Sequence, residues 1–322
     1  MNKSLYELSK LGINIPNRRI NDRYTLTENI GSGTFGDVYI AKDKITMKKY
    51  VAKITGISEI FEIYFYIITM CEHPNLICLH DYFIIKDELY LIYNYIPNAY
   101  DLVVLSNGLY ISPWYVDYLI KVLLDVSSAL KYIHNKGILH LDIKPTNILI
   151  VYPQNKPLDE KINVDEINGY LIDYGFTCLK GNESEKFNEY LCINHFPKRA
   201  AYRYYAPEML NRDIPINEIS YASDIYALGI TIQDVMLDPL ILNIEYVDDN
   251  DLIFRCQADE LNNEYLLLKN AYNIPIDIAD FLMNSDHKYA GDLFNLSVKM
   301  INIDPLKRPT IDEVINELLS FK

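Results

Sequence analysis

The first part of the chain alternates between hydrophobic and polar residues with the period of two that is typical of strands. Over residues 23–54, β-branched and aromatic residues alternate with polar ones in several short runs. This pattern predicts a meander of antiparallel strands. Ser58 can cap a helix over residues 59–70, because serine is a favoured N-cap residue. Two further strands are predicted at 81–85 and 89–93.

The hydrophobic period then changes to that of helices. Ser112-Pro113 opens a long segment whose apolar residues fall on one helix face, and Lys136-Gly137 ends it as a helix C-terminus would. Two more helices are predicted, over 222–236 and 311–319. The apolar positions on the face of the long helix are Tyr115, Leu119, Val122, Leu123, Val126, Leu130 and Ile133.

A short hairpin is predicted between the long helix and the later helices. Its strands are the apolar runs at 148–151 and 170–172, and the polar segment 153–169 between them is predicted to be a surface loop. The chain therefore divides into a strand-rich part, to about residue 96, and a helix-rich part from about residue 101.

Composition and charge narrow the class of protein. Half of the 322 residues are hydrophobic and 23% are charged, which is typical of a folded soluble protein. The longest apolar stretch, residues 60–71, is too short to span a bilayer, and no signal peptide is recognisable. Five cysteines without a C-x-x-C pair predict reduced thiols and a cytoplasmic location. The net charge of −14 argues against binding to nucleic acid. From the charge and the short apolar stretch, respectively, neither nucleic acid nor a membrane is predicted as a partner.

A glycine-rich stretch is the first candidate for chemistry. Gly31-Ser-Gly33-Thr-Phe-Gly36 has the spacing G-x-G-x-x-G, and glycines let backbone N–H groups approach phosphate oxygens. Dinucleotide-binding folds share this spacing but begin a helix at the last glycine. Here an alternating, strand-like run follows, so the loop is predicted to cover a nucleotide, with an ordinary glycine hairpin as the alternative. Lys53 ends the next apolar strand and is either a phosphate-binding cation or a solvated edge lysine.

A second, more specific group of residues follows the long helix. Asp142 can accept the proton of an incoming hydroxyl, and Lys144 can neutralise a migrating phosphoryl group. Asn147 and Asp173 offer the oxygen ligands that Mg²⁺ prefers. Phosphoryl transfer needs mainly placement and charge stabilisation, which these groups supply. They lie in the runs His140-Leu-Asp142-Ile-Lys144-Pro-Thr-Asn147 and Leu171-Ile-Asp173-Tyr-Gly175.

With these motifs the chain resembles the eukaryotic-type protein kinases, on the serine/threonine branch, from about Tyr24 to Leu319. The remaining motifs of the resemblance are His73-Pro-Asn75, Ala206-Pro-Glu208, Ser223-Asp224-Ile-Tyr-Ala-Leu-Gly229 and Asp304-Pro-Leu-Lys-Arg308-Pro-Thr310. The resemblance implies a bilobal α+β fold, with a small antiparallel β-sheet lobe bearing one helix (about 23–96) and a larger, mainly α-helical lobe (about 101–322). Residues 1–22 are then an N-terminal extension. The residue usage resembles that of a large DNA virus or an AT-rich microbe, which would place a viral protein in the host cytoplasm.

The resemblance also implies an enzyme that moves the γ-phosphate of ATP to a protein hydroxyl, with Mg²⁺ (or Mn²⁺ in its place) as cofactor. Asp142, Lys144 and Asn147 are the catalytic residues that it implies, and Asn147 and Asp173 the metal ligands. Tyr93 is the implied gatekeeper beside the adenine. The full implied nucleotide site is Ile30, Gly31, Ser32, Gly33, Thr34, Phe35, Gly36, Val38, Ala52, Lys53, Glu62, Tyr93, Asn94, Ile96, Leu149 and Asp173.

Supporting roles follow from the same resemblance. Glu62 is the expected partner of Lys53, with Glu59 as the alternative. Glu208 is expected to pair with Arg308, and Asp224 to brace the catalytic loop through its backbone. His140 is expected to support that loop rather than to take a proton.

The chain departs from the family pattern at three positions. Leu141 stands where many kinases have an arginine that receives a phosphorylated activation loop, so activity is predicted not to need that phosphorylation. Tyr174 replaces the usual phenylalanine, and Ala201 replaces a threonine that supports serine/threonine specificity. Two alternatives stay open: a pseudokinase that acts as a nucleotide-binding or scaffolding module, and a small-molecule phosphotransferase. The protein substrate and the oligomeric state are not predicted.

Overall fold

The computed structural model of the chain describes residues 20–33, 36–56, 63, 72–103, 114–153, 161–180, 202–210, 219–241 and 289–321. They form a strand-rich upper lobe and a helix-rich lower lobe. None of the helices within these ranges is long and apolar enough to cross a membrane.

The upper lobe is a five-stranded antiparallel sheet with the strand order β1-β2-β3-β5-β4. The predicted meander is therefore confirmed. A short helix, α1 (Ile20–Arg23), leads into it. The strands are β1 (Tyr24–Gly33), β2 (Gly36–Asp43), β3 (Lys49–Gly56), β4 (Leu79–Ile85) and β5 (Glu88–Asn94).

The two faces of this sheet bury different side chains, because successive residues of a strand point to opposite faces. One face carries a small aromatic cluster of its own, in which the Tyr24, Phe83 and Tyr90 rings stack in sequence. The other face, with Leu91 and Tyr93, joins the main core of the protein. Lys53 belongs to this second face.

The lower lobe is built around the long helix α2 (Tyr115–Asn135), whose seven predicted apolar positions are all buried. The helix ends just before Lys136-Gly137, as predicted, and Gly137 has φ of +76° and donates its N–H to the His134 carbonyl. Four later helices follow: α3 (Pro207–Leu210), α4 (Tyr221–Ile241), α5 (Ala290–Met300) and α6 (Ile311–Ser320). The two predicted helices are confirmed as α4 and α6.

Short strands connect the lobes and carry the loops of the candidate site. The predicted hairpin is confirmed as an antiparallel pair, and a third strand from the chain segment after β5 joins it. A further two-stranded sheet pairs the short strand that precedes this hairpin along the chain with the short strand that follows it. The strands are β6 (Ala99–Asp101), β7 (Ile138–Leu139), β8 (Ile148–Val151), β9 (Asn168–Leu171) and β10 (Cys178–Leu179).

Two expectations are wrong in detail. The segment 153–169 is not simply a surface loop: Ile162 and Ile167 are buried in the main core, and Tyr118 of α2 accepts the Ile162 N–H at 2.9 Å. Apolar side chains in a mostly polar insertion are anchors, and they hold it against the helix. Cys178 is disulfide-bonded, contrary to the expectation of reduced thiols, and its partner lies outside the described residues.

A buried ion pair ties the lower lobe together as expected. Arg308 donates to both carboxylate oxygens of Glu208, at 2.7 and 2.8 Å, and its side chain is fully buried. The remaining donors of the guanidinium reach the carbonyl oxygens of Asn302, Ala222 and Ile303. This confirms the predicted pairing of the two motifs.

Candidate active site

A cleft of about 840 Å³ lies between the two lobes. Its roof comes from β1–β3, its back from the end of β5 and the following residues 94–101, and its floor from β8 and the residues around Asp173. Eleven residues of the predicted nucleotide site line it: Ile30, Gly31, Ser32, Gly36, Val38, Lys53, Tyr93, Asn94, Ile96, Leu149 and Asp173.

The glycine-rich stretch is a hairpin between two strands. Gly31 pairs with Val38, and Gly33 with Gly36, so no helix begins at the last glycine and the dinucleotide-binding alternative is excluded. Gly36 has φ of +116°, and a Cβ there would lie 1.9 Å from the Ile54 carbonyl oxygen. Glycine is therefore required at this position. Thr34 and Phe35 lie outside the described residues.

A pair of glycine substitutions tests this hairpin. We expect Gly36→Ala to lower the free energy of unfolding by about 3 kcal/mol, because the left-handed backbone and the overlap with Ile54 each add strain. Gly31→Ala is the matched control: its Cβ would meet only Val38, at an ordinary 3.8 Å, and should cost less than about 1 kcal/mol. Denaturant unfolding measures both, and equal losses would contradict the assignment.

Two described residues of the predicted nucleotide site do not line the cleft: Gly33, at the end of β1, and Ala52, in β3. Ala52 does not line the cleft but is fully buried in the aromatic cluster on the opposite face of the sheet. Its neighbour Val51 lines the cleft instead. The reason is the period of two: Lys53 faces the cleft, so the residue two positions earlier faces it as well, and the residue between them cannot.

The cleft also contains residues that the sequence did not single out. Ile77, Thr146 and Ile172 line it beside Leu149. Ile172 could have been found, since it directly precedes Asp173 at the end of a buried strand. Ile77 and Thr146 carry no comparable signal, because their place depends on how the lobes meet.

Lys53 forms a short ion pair with Asp173, 2.8 Å from Nζ to Oδ1. Burial raises the pKa of Asp173, but the Lys53 ammonium and the Gly175 N–H outweigh it, so the net pKa lies below that of an ordinary aspartate. Asp173 is thus held as a carboxylate, the form that binds a metal. The predicted partners Glu62 and Glu59 lie outside the described residues.

The catalytic-loop residues form a second, adjoining cluster. Lys144 Nζ lies 3.0 and 2.8 Å from the two oxygens of Asp142. The Asn147 amide nitrogen donates to the Asp142 carboxylate at 2.7 Å and to its carbonyl at 2.8 Å. Since both bonds use the Asn147 nitrogen, its amide oxygen points elsewhere and remains available to a metal.

The two clusters share one electrostatic environment. Burial raises the pKa of Asp142, Lys144 opposes that rise, and the nearby Asp173 carboxylate adds to it. Lys144 in turn contributes to the lowered pKa of Asp173. The charged groups of the two clusters therefore lie close enough to interact electrostatically. Within the described residues no group of three His, Cys, Asp or Glu side chains could hold a metal by itself.

Asp224 holds the catalytic loop in place, as expected. Its carboxylate accepts the backbone N–H of His140 at 2.9 Å and of Leu141 at 2.7 Å, and the His134 ring lies 2.8 Å away. Leu141 has φ of +60°, which is unusual for a leucine. The two backbone bonds to a fully buried carboxylate stabilise this strained turn.

His140 is a support, as expected. The Asp142 N–H donates to its Nδ1, so Nε2 carries the proton and donates to the Ile172 carbonyl at 3.1 Å. Burial lowers the pKa of His140, which keeps the ring neutral. The histidine thereby joins the catalytic loop to the backbone just before Asp173.

The turn that precedes β4 is bonded directly to β9. The Asn75 side chain donates to the Gly169 carbonyl at 2.9 Å. The Asn75 backbone carbonyl accepts the Leu171 N–H at 3.0 Å. Leu76 and Leu171 form a parallel bridge. The upper lobe is therefore fastened to the strand that leads into Asp173.

Comparisons with known proteins agree with this geometry. The family model for the protein kinase domain matches residues 24–319. The chain is 27% identical over 316 residues to a serine/threonine-protein kinase of Acanthamoeba polyphaga mimivirus, covering 93% of this chain and 94% of that protein. It is 25% identical over 315 residues to cyclin-dependent kinase D-1 of Arabidopsis thaliana, covering 92% and 71%.

A solved structure shows the same fold. The twitchin kinase region of C. elegans superposes with a TM-score of 0.63 at 20% identity, covering 95% of this chain and 47% of that one. At this identity the likeness supports the bilobal fold alone.

Proposed function

Because the chain belongs to the protein kinase family, we propose that it transfers the γ-phosphate of Mg-ATP to a serine or threonine hydroxyl of a protein. One observation carries the proposal: Lys53 and Asp173 at the cleft adjoin Asp142, Lys144 and Asn147, and each is held in a hydrogen-bonded arrangement that suits phosphoryl transfer. The retained set favours an active enzyme over a scaffolding pseudokinase.

The proposed mechanism assigns one task to each of these residues. Asp142 accepts the proton of the attacking hydroxyl, and its raised pKa makes it a better base than an ordinary aspartate. Lys144 neutralises charge on the phosphoryl group in flight. Asn147 and Asp173 would hold Mg²⁺, which neutralises phosphate charge when bound. Lys53 exchanges its bond with Asp173 for bonds to the phosphates.

The adenine is proposed to lie against the chain that follows Tyr93. The Asn94 N–H is already donated to the Cys78 carbonyl at 3.3 Å, so Asn94 can offer the base only its own carbonyl, and Ile96 is left to supply a donor. Ile30, Val38, Val51 and Leu149 would enclose the ring between the lobes. Val51 takes the place that was expected of Ala52.

A phosphotransfer assay tests the proposal. Incubation with labelled ATP and Mg²⁺ should label casein, and the label should appear on serine or threonine. Binding of Mg-ATP without any transfer would favour the pseudokinase. Labelling of aminoglycosides or choline but not of casein would favour a small-molecule phosphotransferase. Phosphotyrosine beside phosphoserine would indicate dual specificity, a question that Ala201 leaves open.

Activity is further proposed to be independent of activation-loop phosphorylation. Leu141 is buried in the main core, so this position offers an apolar side chain and no cation for a phosphate. We expect phosphatase treatment to leave the specific activity of the purified protein unchanged. A loss of activity that preincubation with ATP restores would contradict this. The chain is also proposed to work in the cytoplasm, or in the host cytoplasm if it is viral.

A further inference from the structure

The turn between β2 and β3, residues 42–49, is exposed apart from Asp43 and is ordered by hydrogen bonds. Asp43 organises it: its Oδ1 accepts the N–H of Ile45 at 2.7 Å and of Thr46 at 3.1 Å, and its carbonyl accepts the N–H of Met47 at 2.8 Å. Asp43 is itself fully buried and paired with Arg23, at 3.1 Å. The conformation of the turn is thus set from inside the sheet, and its other side chains point outwards.

Two large apolar side chains stand at the tip of this turn. Ile45 is 78% exposed and Met47 is 60% exposed, and Met47 has φ of +60°. A non-glycine residue with positive φ is uncommon. These exposed apolar groups contribute nothing to the folded core and are accessible to another surface.

Four lysines surround the two apolar side chains. Lys42, Lys44, Lys48 and Lys49 are all exposed, whereas the chain as a whole has a net charge of −14. Lys42 and Lys49 lie directly opposite each other on β2 and β3, and like charges in such a pair destabilise a sheet. The charge is concentrated here at a cost to the fold, and an anionic surface would relieve that cost.

We propose that this turn docks on an anionic membrane surface, with Ile45 and Met47 inserted between the headgroups and the lysines at the level of the phosphates. Apolar side chains ringed by cations are what such an interface binds. A projecting turn of eight residues is too small to bury the area that a stable protein complex needs. The short length of the longest apolar stretch predicted no membrane partner, but a peripheral contact needs only local positive charge and a few exposed apolar side chains.

Vesicle co-sedimentation of the full chain, without nucleotide, tests the proposal. We expect binding to vesicles of equal parts phosphatidylcholine and phosphatidylserine, little binding to phosphatidylcholine alone, and weakening by salt. Ile45→Ser with Met47→Ser should weaken binding more than about tenfold. Lys44→Gln with Lys48→Gln should weaken it about 25-fold, at about fivefold for each lysine.

A matched control comes from the lower lobe. Leu306 is 93% exposed and is followed by the exposed Lys307, so Leu306→Ser with Lys307→Gln removes the same kinds of side chain elsewhere and should leave binding unchanged. Unfolding curves check that each variant is folded. Tip variants that bind like the wild type would overturn the proposal. Failure to bind anionic vesicles would also overturn it, and capture of the chain on polyglutamate would then indicate an acidic protein partner.

Discussion

Replacing Asp142 with asparagine is expected to lower the rate of phosphoryl transfer by about 10²–10⁴-fold, the range over which a general base contributes. Asparagine keeps the shape of the side chain and can still bond Asn147 and Lys144, but it cannot accept the proton. Single-turnover transfer from labelled ATP to casein measures the effect. Labelling equal to that of the wild type would refute the assignment of the base.

Stability provides the control for this variant. Burial raises the pKa of Asp142, so the ionised carboxylate is less favourable in the folded than in the unfolded protein at neutral pH. Removing the charge removes that cost. We therefore expect the free energy of unfolding of Asp142→Asn to be equal to or higher than that of the wild type. A variant that is both inactive and unstable would leave its loss of activity attributable to unfolding and would contradict this expectation.

Replacing Arg308 with alanine is expected to lower the free energy of unfolding by about 3–5 kcal/mol, because it leaves the Glu208 carboxylate buried without its cation. Three backbone carbonyls also lose a donor. Lys299→Ala is the control, since its bond to Glu317 lies at the surface and should contribute less than about 1 kcal/mol. Denaturant unfolding at neutral pH compares the two.

The loss of unfolding free energy caused by Arg308→Ala should depend on pH. In the wild type, burial raises the pKa of Glu208, but the bond to Arg308 outweighs burial and leaves it below the ordinary 4.5. A carboxyl whose pKa is lowered by folding stabilises the folded state at pH values above its ordinary pKa. That stabilisation is lost as the pH falls through the pKa of the folded state. The difference between wild type and variant should therefore be full at neutral pH and shrink below pH 4.5. A deficit that does not change with pH would assign the effect to packing.

The sequence predicted the architecture because the lobes differ in hydrophobic period. Alternation marked the strands, and the single apolar face of α2 marked the central helix of the lower lobe. Ala52 was assigned to the nucleotide site because it precedes Lys53 in the motif. The pleat of the strand, however, decides which side chain faces the cleft, and it turns Ala52 to the opposite face. Counting by two from Lys53 would have selected Val51.

Other features could not be predicted because they depend on contacts between distant segments. The burial of Ile162 and Ile167 requires that α2 offers them a surface. The bond between Lys53 and Asp173 joins residues 120 positions apart, and nothing local to either specifies it. The projecting turn at Ile45 and Met47 is an exception of another kind. Its residues are plain in the sequence, but only their exposure distinguishes them from an ordinary strand.

The bridge between Leu76 and Leu171 has a mechanical consequence. A point at which two bodies are fastened moves least when they swing against each other, so Asp173, two residues beyond the bridge, stays near the axis of any such swing. In such a swing the glycine hairpin, which lines the roof of the cleft, would move further than Asp173. Admitting a nucleotide and releasing its product would then lift the roof of the cleft while Asp173 keeps its position beside the catalytic loop.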